Sequence, residues 1–460
     1  MQSSERTLRR LPLGDVRSGG SDGVGDAGPG DQLRAVIDAA RQAHGGSRLL
    51  WHDFEVAPVD LLISLLEFGY RCWVRRGTGG VRLFVDPDGS VPRDGWRDKT
   101  GSSTHSMAST DGGRVYTTTT DDRVAVLDAS TRSVLHHVRV GSDPQHLMIS
   151  PDGRWLYSAN CASDDVTIVE LGNRLHTATA TVGRGPILPC VAPQGNFAWV
   201  PSRADCSVSV VSPDGSTVAT IGVGLSPHDI ELSPDGRWAY QPNQGDGTVT
   251  VIDARSLQVE VTVVVGTGPC HATFTPDGAY ACVANTLSDD VSVVRVDDHA
   301  VVRTLPAGQG THVPLVTPDG RWLVVADFIS DDVFIWDVTS FEPSGVVPVG
   351  RYPHGLALSP DGRTLVVSHT GGSAVSVVDV PTSRLVGQVE VSGAPGHVAF
   401  DPEGQCAFVA CERSDVVAVI DVAKGVLVDV VPVGGVFDDA QPEDRDGSRK
   451  PAERAGEGRA

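Results

Sequence analysis

One short motif constrains this chain more than any other feature: a Pro-Asp-Gly-type turn after a brief apolar strand, repeated eight times at intervals of 41 or 42 residues. The copies are STDGGRVY (109–116), SPDGRWLY (150–157), APQGNFAW (192–199), SPDGRWAY (233–240), TPDGAYAC (275–282), TPDGRWLV (317–324), SPDGRTLV (359–366) and DPEGQCAF (401–408). Each copy continues into a second strand, a polar loop, a β-branched run such as VTVID or VSVVDV, and a fourth strand. Four short strands in a unit of this length predict the blades of a propeller. Alternating Val, Ile and Leu give each strand a face to pack on the neighbouring blade. The expected fold class is therefore an all-β propeller over 103–434, with eight blades and seven as the fallback.

The repeat "LSPDGRWAYQPNQGDGTVTVIDARSLQVEVTVVVG" resembles the YVTN family of β-propeller repeats. That likeness implies a fold and leaves function open, because one fold hosts many activities. Upstream, residues 1–30 carry no periodic pattern and read as disordered. Residues 31–86 read as a small α/β domain: a helix over DQLRAVIDAARQAHGG, a strand, a helix after Pro58, and a hairpin turning at GTGG. The stretch "LLISLLEFGYRCWVRRGTGGVRLFV" resembles the sulfur-carrier (TusA-like) fold. The Cys-Pro pair of that family has no counterpart, since Cys72 lies within the hairpin, so sulfur transfer is not carried over. A docking module for a protein partner is the expectation instead. Residues 87–102 form a linker, and 435–460 an acidic tail read as disordered.

A net charge of −21 argues against nucleic acid, which needs clustered Lys and Arg. No long apolar run predicts a membrane span, and the first residues lack the apolar core of a secretory signal, so a cytoplasmic location is expected. Eight cysteines in 460 residues make no dense disulfide framework.

Function is written in two positions of the repeat that should meet at one face of the channel. At the start of the first strand, seven of the fourteen histidines occupy one turn: His105, His146, His228, His271, His312, His354 and His397. Only the third unit, with Ile187-Leu188, has none. At the end of the second strand the series runs Thr119, Asn160, Ser202, Asn243, Asn285, Asp327, His369 and Cys411. Its last three members replace a loop-capping residue with metal-ligand types.

Any one such histidine can simply bond to the next blade, but the set is harder to dismiss. Charged imidazoles ~5–8 Å apart would repel by roughly a kcal/mol or more per pair at an effective dielectric near 20–40. They must be neutral, and neutral imidazoles beside Asp and Cys offer a metal site. The expected site is centred on His312, His354, His369, His397, Asp327 and Cys411, with His105, His146, His228 and His271 completing it. Copper or iron fits, and zinc is possible.

A histidine-ringed funnel resembles two propeller groups: the copper enzymes nitrous oxide reductase and thiocyanate dehydrogenase, and the haem d1 propellers of nitrite reductase and its relatives. The second implies a tetrapyrrole as the alternative cofactor. The leading expectation is a metal-dependent oxidoreductase acting on a small molecule. Asp327 or His369 would carry the proton, and Arg203 would bind an anionic substrate. The rival is a non-enzymatic protein-interaction scaffold. The Asp164-Asp165, Asp289-Asp290 and Asp331-Asp332 loops lack calcium-loop spacing and read as turn chemistry.

Overall fold

The computed structural model describes residues 7–10, 48–54, 71–77, 80–86, 107–109, 113–172, 176–391, 393–411 and 414–434. From residue 107 onward the chain forms eight four-stranded sheets, each made of four consecutive strands. These are blades 1 to 8, spanning 107–139, 144–181, 190–222, 231–264, 269–306, 311–348, 353–390 and 395–432. The eight-bladed count expected from the repeat is the observed one, and all pairings within blades are antiparallel.

The middle two strands of a blade are covered on both sides by neighbouring blades, so they are buried almost throughout. Tyr280–Asn285 and Asp290–Arg295 in blade 5 are examples. Such strands read as near-continuous apolar runs. The outermost strand keeps one buried anchor while the rest faces solvent: in Val426–Pro432, Val431 is buried and Val426, Leu427 and Val428 are exposed.

Eight apolar clusters fill the eight interfaces between blades, so the core is a ring rather than a centre. The seam between the last and first blades is one of them. Phe408, Ala410, Val417 and Val419 of blade 8 pack on Val115, Ala125 and Leu127 of blade 1. His137 Nε2 lies 2.8 Å from the Val433 carbonyl, and Thr120 Oγ1 donates to Asp415 Oδ2 at 2.7 Å across the same seam. Among the described residues no blade shares strands from both ends of the chain. Closure therefore depends on side-chain packing and these bonds.

The recurring turn has a fixed internal chemistry. In blade 4, Ser233 Oγ donates to Asp235 Oδ1 at 2.6 Å, and the same oxygen accepts the Arg237 N–H at 3.0 Å. Gly236 takes a φ of 67°, a left-handed conformation that glycine adopts without a Cβ penalty. The doubled-aspartate loops are latches, in line with the turn reading. Asp164 Oδ1 accepts the Gly185 N–H at 2.9 Å, Asp289 Oδ1 that of Gly310 at 2.8 Å, and Asp331 Oδ1 that of Tyr352 at 2.9 Å. Each ties one blade to the chain entering the next.

Toward the N-terminus, Thr7–Arg10, Arg48–Phe54, Gly80–Asp86 and Arg71–Gly77 form a separate four-stranded sheet in that order. Thr7–Arg10 falls in the stretch read as disordered, yet it pairs in parallel with Arg48–Trp51. The alternation rule misses a strand this short. The two expected helices (31–46 and 58–70), the linker 87–102, His105 and the tail 435–460 lie outside the described residues. Among the described residues no helix is long and apolar enough to cross a membrane.

Candidate metal centre at the channel mouth

The turns entering the first strands of blades 2 and 4 to 8 come together at one mouth of the channel, which is why residues far apart in sequence meet there. Six imidazoles form a continuous arc. Ring centroids are 4.9 Å apart for His228 and His271, 4.8 Å for His271 and His312, and 5.6 Å for His312 and His354. The arc continues with 5.4 Å from His354 to His397 and 5.4 Å from His397 to His146. Blades 4 to 8 and blade 2 thus each supply one ring. At the gap left by blade 3, Arg203 stands close enough to His228 for its charge to act on that imidazole.

Within the arc, His228, His271 and His312 each bring one nitrogen into a group whose atoms all lie within 4.8 Å of one another. Metal–imidazole bonds of about 2.0–2.1 Å place ligand nitrogens roughly 3.3–3.5 Å apart. Each ring needs to move inward by about 1 Å or less to hold an ion. His228 is 6% exposed and His312 3% exposed. Burial holds both well below the usual histidine range, helped at His228 by Arg203 and at both by neighbouring imidazoles. Both are therefore neutral, the form a metal requires. His228 Nδ1 is buried and makes no hydrogen bond among the described residues.

His271 is oriented differently. Its Nδ1 lies 3.2 Å from Asp229 Oδ2, and a carboxylate can only accept, so Nδ1 is the donor of this bond and Nε2 is the nitrogen left for an ion. A carboxylate behind a histidine in this way fixes the tautomer and strengthens the ligand. Asp229 occupies the histidine position of its own blade, and sequence reading assigned it no role. The signal was available: an acid at the ring position directly after His228.

The structure brings together His146, His228, His271, His312, His354 and His397, and leaves His369, Asp327 and Cys411 out of the arc. These three sit at the end of the second strand, a position that in blades 2 to 7 packs on the glycine closing the preceding blade. Asn243 Oδ1 accepts the Gly224 N–H at 3.1 Å, and His369 Nε2 accepts that of Gly350 at 3.1 Å in the same way. A Cβ on Gly350 would lie 2.2 Å from the His369 ring. Burial lowers His369 to about 4.

Asp327 is fully buried next to Gly308, and burial, reinforced by the Asp332 charge, pushes its carboxyl well above the usual range. Cys411 belongs to the apolar cluster between blades 7 and 8. The three imidazoles whose nitrogens lie within 4.8 Å of one another thus come from blades 4 to 6. Cys270, beside His271, receives a bond from Thr286 Oγ1 at 2.9 Å, and burial pushes its thiol up to about 12. It is an inert core thiol. Cys161 is likewise pushed up to about 12 by burial.

A family described as "Lactonase, 7-bladed beta-propeller" matches residues 207–311 and 340–432. No curated protein matches the sequence. Among solved structures, hydrazine synthase of Kuenenia stuttgartiensis is similar with a TM-score of 0.51 and 21% identity, covering 73% of this chain and 99% of that one. The dihydro-heme d1 dehydrogenase NirN, solved in complex with DHE, is similar with a TM-score of 0.59 and 16% identity over 68% of this chain and 71% of its own. A functionally unknown protein from Desulfotomaculum acetoxidans gives a TM-score of 0.50 and 18% identity over 60% and 95%. Identities at this level establish the fold alone. With its repeats, its closed ring and these likenesses, the chain is a β-propeller repeat protein, with eight blades where the matching family has seven.

Proposed function

We propose that the channel mouth binds one transition-metal ion through His228, His271 and His312 and uses it on a small anionic molecule beside Arg203. The observation that carries this reading is the three-imidazole group, with His228 and His312 held neutral by burial and His271 keyed by Asp229. All-nitrogen ligation suits copper or iron, with zinc possible. Three protein ligands leave a coordination position for substrate, as catalytic centres require. When bound, the ion would supply Lewis acidity or a redox couple. The chain's own part is to hold His228 and His312 neutral, to orient His271 through Asp229, and to place a positive guanidinium where an anion arrives. His354, His397 and His146 line the rest of the mouth and can carry protons to and from a bound molecule.

The metal decides between oxidoreductase chemistry and the hydrolysis that the lactonase family brings to mind. Copper or iron supports the first, and zinc the second. A tetrapyrrole is the second reading, supported by the extent of the six-ring arc and by the similarity to NirN. Elemental analysis and a visible spectrum of the full-length protein test all of these. Stoichiometric copper or iron without a Soret-type band is the expected result. A Soret-type band moves the site to the tetrapyrrole, and absence of both metal and chromophore leaves the scaffold reading.

A further inference from the structure

Asp327 stands where blades 2, 4 and 5 have Asn160, Asn243 and Asn285, and its surroundings make that exchange consequential. In blade 2, Asn160 Nδ2 donates to Asp165 Oδ1 at 2.6 Å and to Thr167 Oγ1 at 2.9 Å. In blade 5, Asn285 Nδ2 donates to Asp290 Oδ1 at 2.7 Å and to Ser292 Oγ at 2.9 Å. Blade 6 keeps the acid, with Asp332 directly opposite Asp327 across the hairpin, but the donor has become a second acid. Phe334 stands where the other two blades offer a hydroxyl.

The result is an acid pair without a cation. Asp327 is fully buried, and neither of its carboxylate oxygens makes a hydrogen bond among the described residues. Thr311 and the Gly308 backbone approach it without completing one. The neighbouring hydroxyls give their hydrogens elsewhere: Thr311 Oγ1 donates to the Gly308 carbonyl at 3.0 Å, and Ser330 Oγ to Asp332 Oδ1 at 2.9 Å. The two carboxyls lie close enough to act on each other, and no lysine or arginine is among the groups acting on either. Their side chains and Ser330 converge on Gly308, where a Cβ would collide with Ser330 Oγ, Asp332 Oδ1 and Asp327 Cβ. Like charges directly opposite on a sheet are destabilising, and an unpaired buried carboxylate is costly.

We propose that Asp327 and Asp332 hold a hard divalent cation of the calcium type at the junction of blades 5 and 6, apart from the imidazole triad. The donor set is all oxygen, two carboxylates with the Ser330 hydroxyl beside them, which suits calcium rather than the nitrogen-seeking ions of the mouth. Asp332 and Ser330 are only half-buried, so water can complete the shell from that side. Asp327 pairs across the sheet with Thr311, the residue before His312, so the ion would brace the turn that carries one ring of the triad. Its role is structural and independent of what binds at the mouth.

Calcium is titrated into chelator-treated full-length protein at pH 8, with binding followed by calorimetry and stability by thermal melting. Wild type should bind one calcium ion at this site and melt about 3–5 °C higher at roughly a hundredfold excess over Kd. Asp327→Asn restores the amide of blades 2 and 5, so it should fold and lose both the binding and the shift. Asp332→Asn, which leaves Asp327 in place, should lose them as well and serves if the first variant does not fold. Calcium held by the acidic surface alone would respond equally in all three proteins. Such an equal response, or no response in wild type, overturns the site and leaves the triad untouched.

Discussion

His312 and His369 are both buried imidazoles on one propeller, yet they have different work. His312 faces the rings of His228, His271 and His354 across the channel mouth, whereas His369 accepts a backbone N–H and closes a loop. Because His369 falls to about 4 when folded, the unfolded chain takes up that proton first as pH drops. The His369 contribution is complete above pH 6.5 and is lost between 6.5 and about 4, amounting to roughly 3 kcal/mol. Replacing His369 by Asn, the residue at this position in blades 2, 4 and 5, should flatten the melting temperature between pH 7 and 5 relative to wild type. It should leave metal content unchanged; loss of the ion in that variant would return His369 to the site. Asp229→Asn should keep the fold and weaken metal affinity by about 10–100-fold, measured by competition with a chromogenic chelator. The seven turn histidines were legible in sequence because they share a repeat position. The residue types at 327 and 369 do not show in sequence that their side chains pack on the glycine closing the preceding blade, because that contact joins two neighbouring units.

At the level of the strand and its turns, the spacing of 41 or 42 residues sets four strands and their order, and the structure adds how consecutive blades are held in register. The doubled-aspartate loops bond to the backbone 21 residues downstream, so each loop helps to position the histidine turn of the next blade. Nothing in sequence reveals a bond partner in a neighbouring unit, which is why these loops read only as turns. Asp289→Ala removes the acceptor for Gly310 just before His312. A loss of about 1–2 kcal/mol is expected, read as a lower denaturant midpoint. An unchanged midpoint would mean that water replaces the carboxylate without cost.

For the whole molecule, a ring closed without shared strands concentrates risk at one seam. Phe408 is almost fully buried there against blade 1. Phe408→Ala should cost about 3–5 kcal/mol by the cavity it leaves, measured by urea unfolding. If the loss stays below about 1 kcal/mol, the seam is not what holds the ring together. Blade number, blade order and the histidine-bearing mouth were all legible from the repeat. The choice of three rings from seven was not, because it depends on where blades 4 to 6 bring their turns in space. The most direct test of the account is metal stoichiometry with X-ray absorption on the full-length protein and on a His228→Ala/His312→Ala double variant. One transition-metal ion with a nitrogen-dominated shell, lost in the double variant, is the result predicted. A wild-type protein without stoichiometric metal, or a double variant that keeps it, would contradict the account.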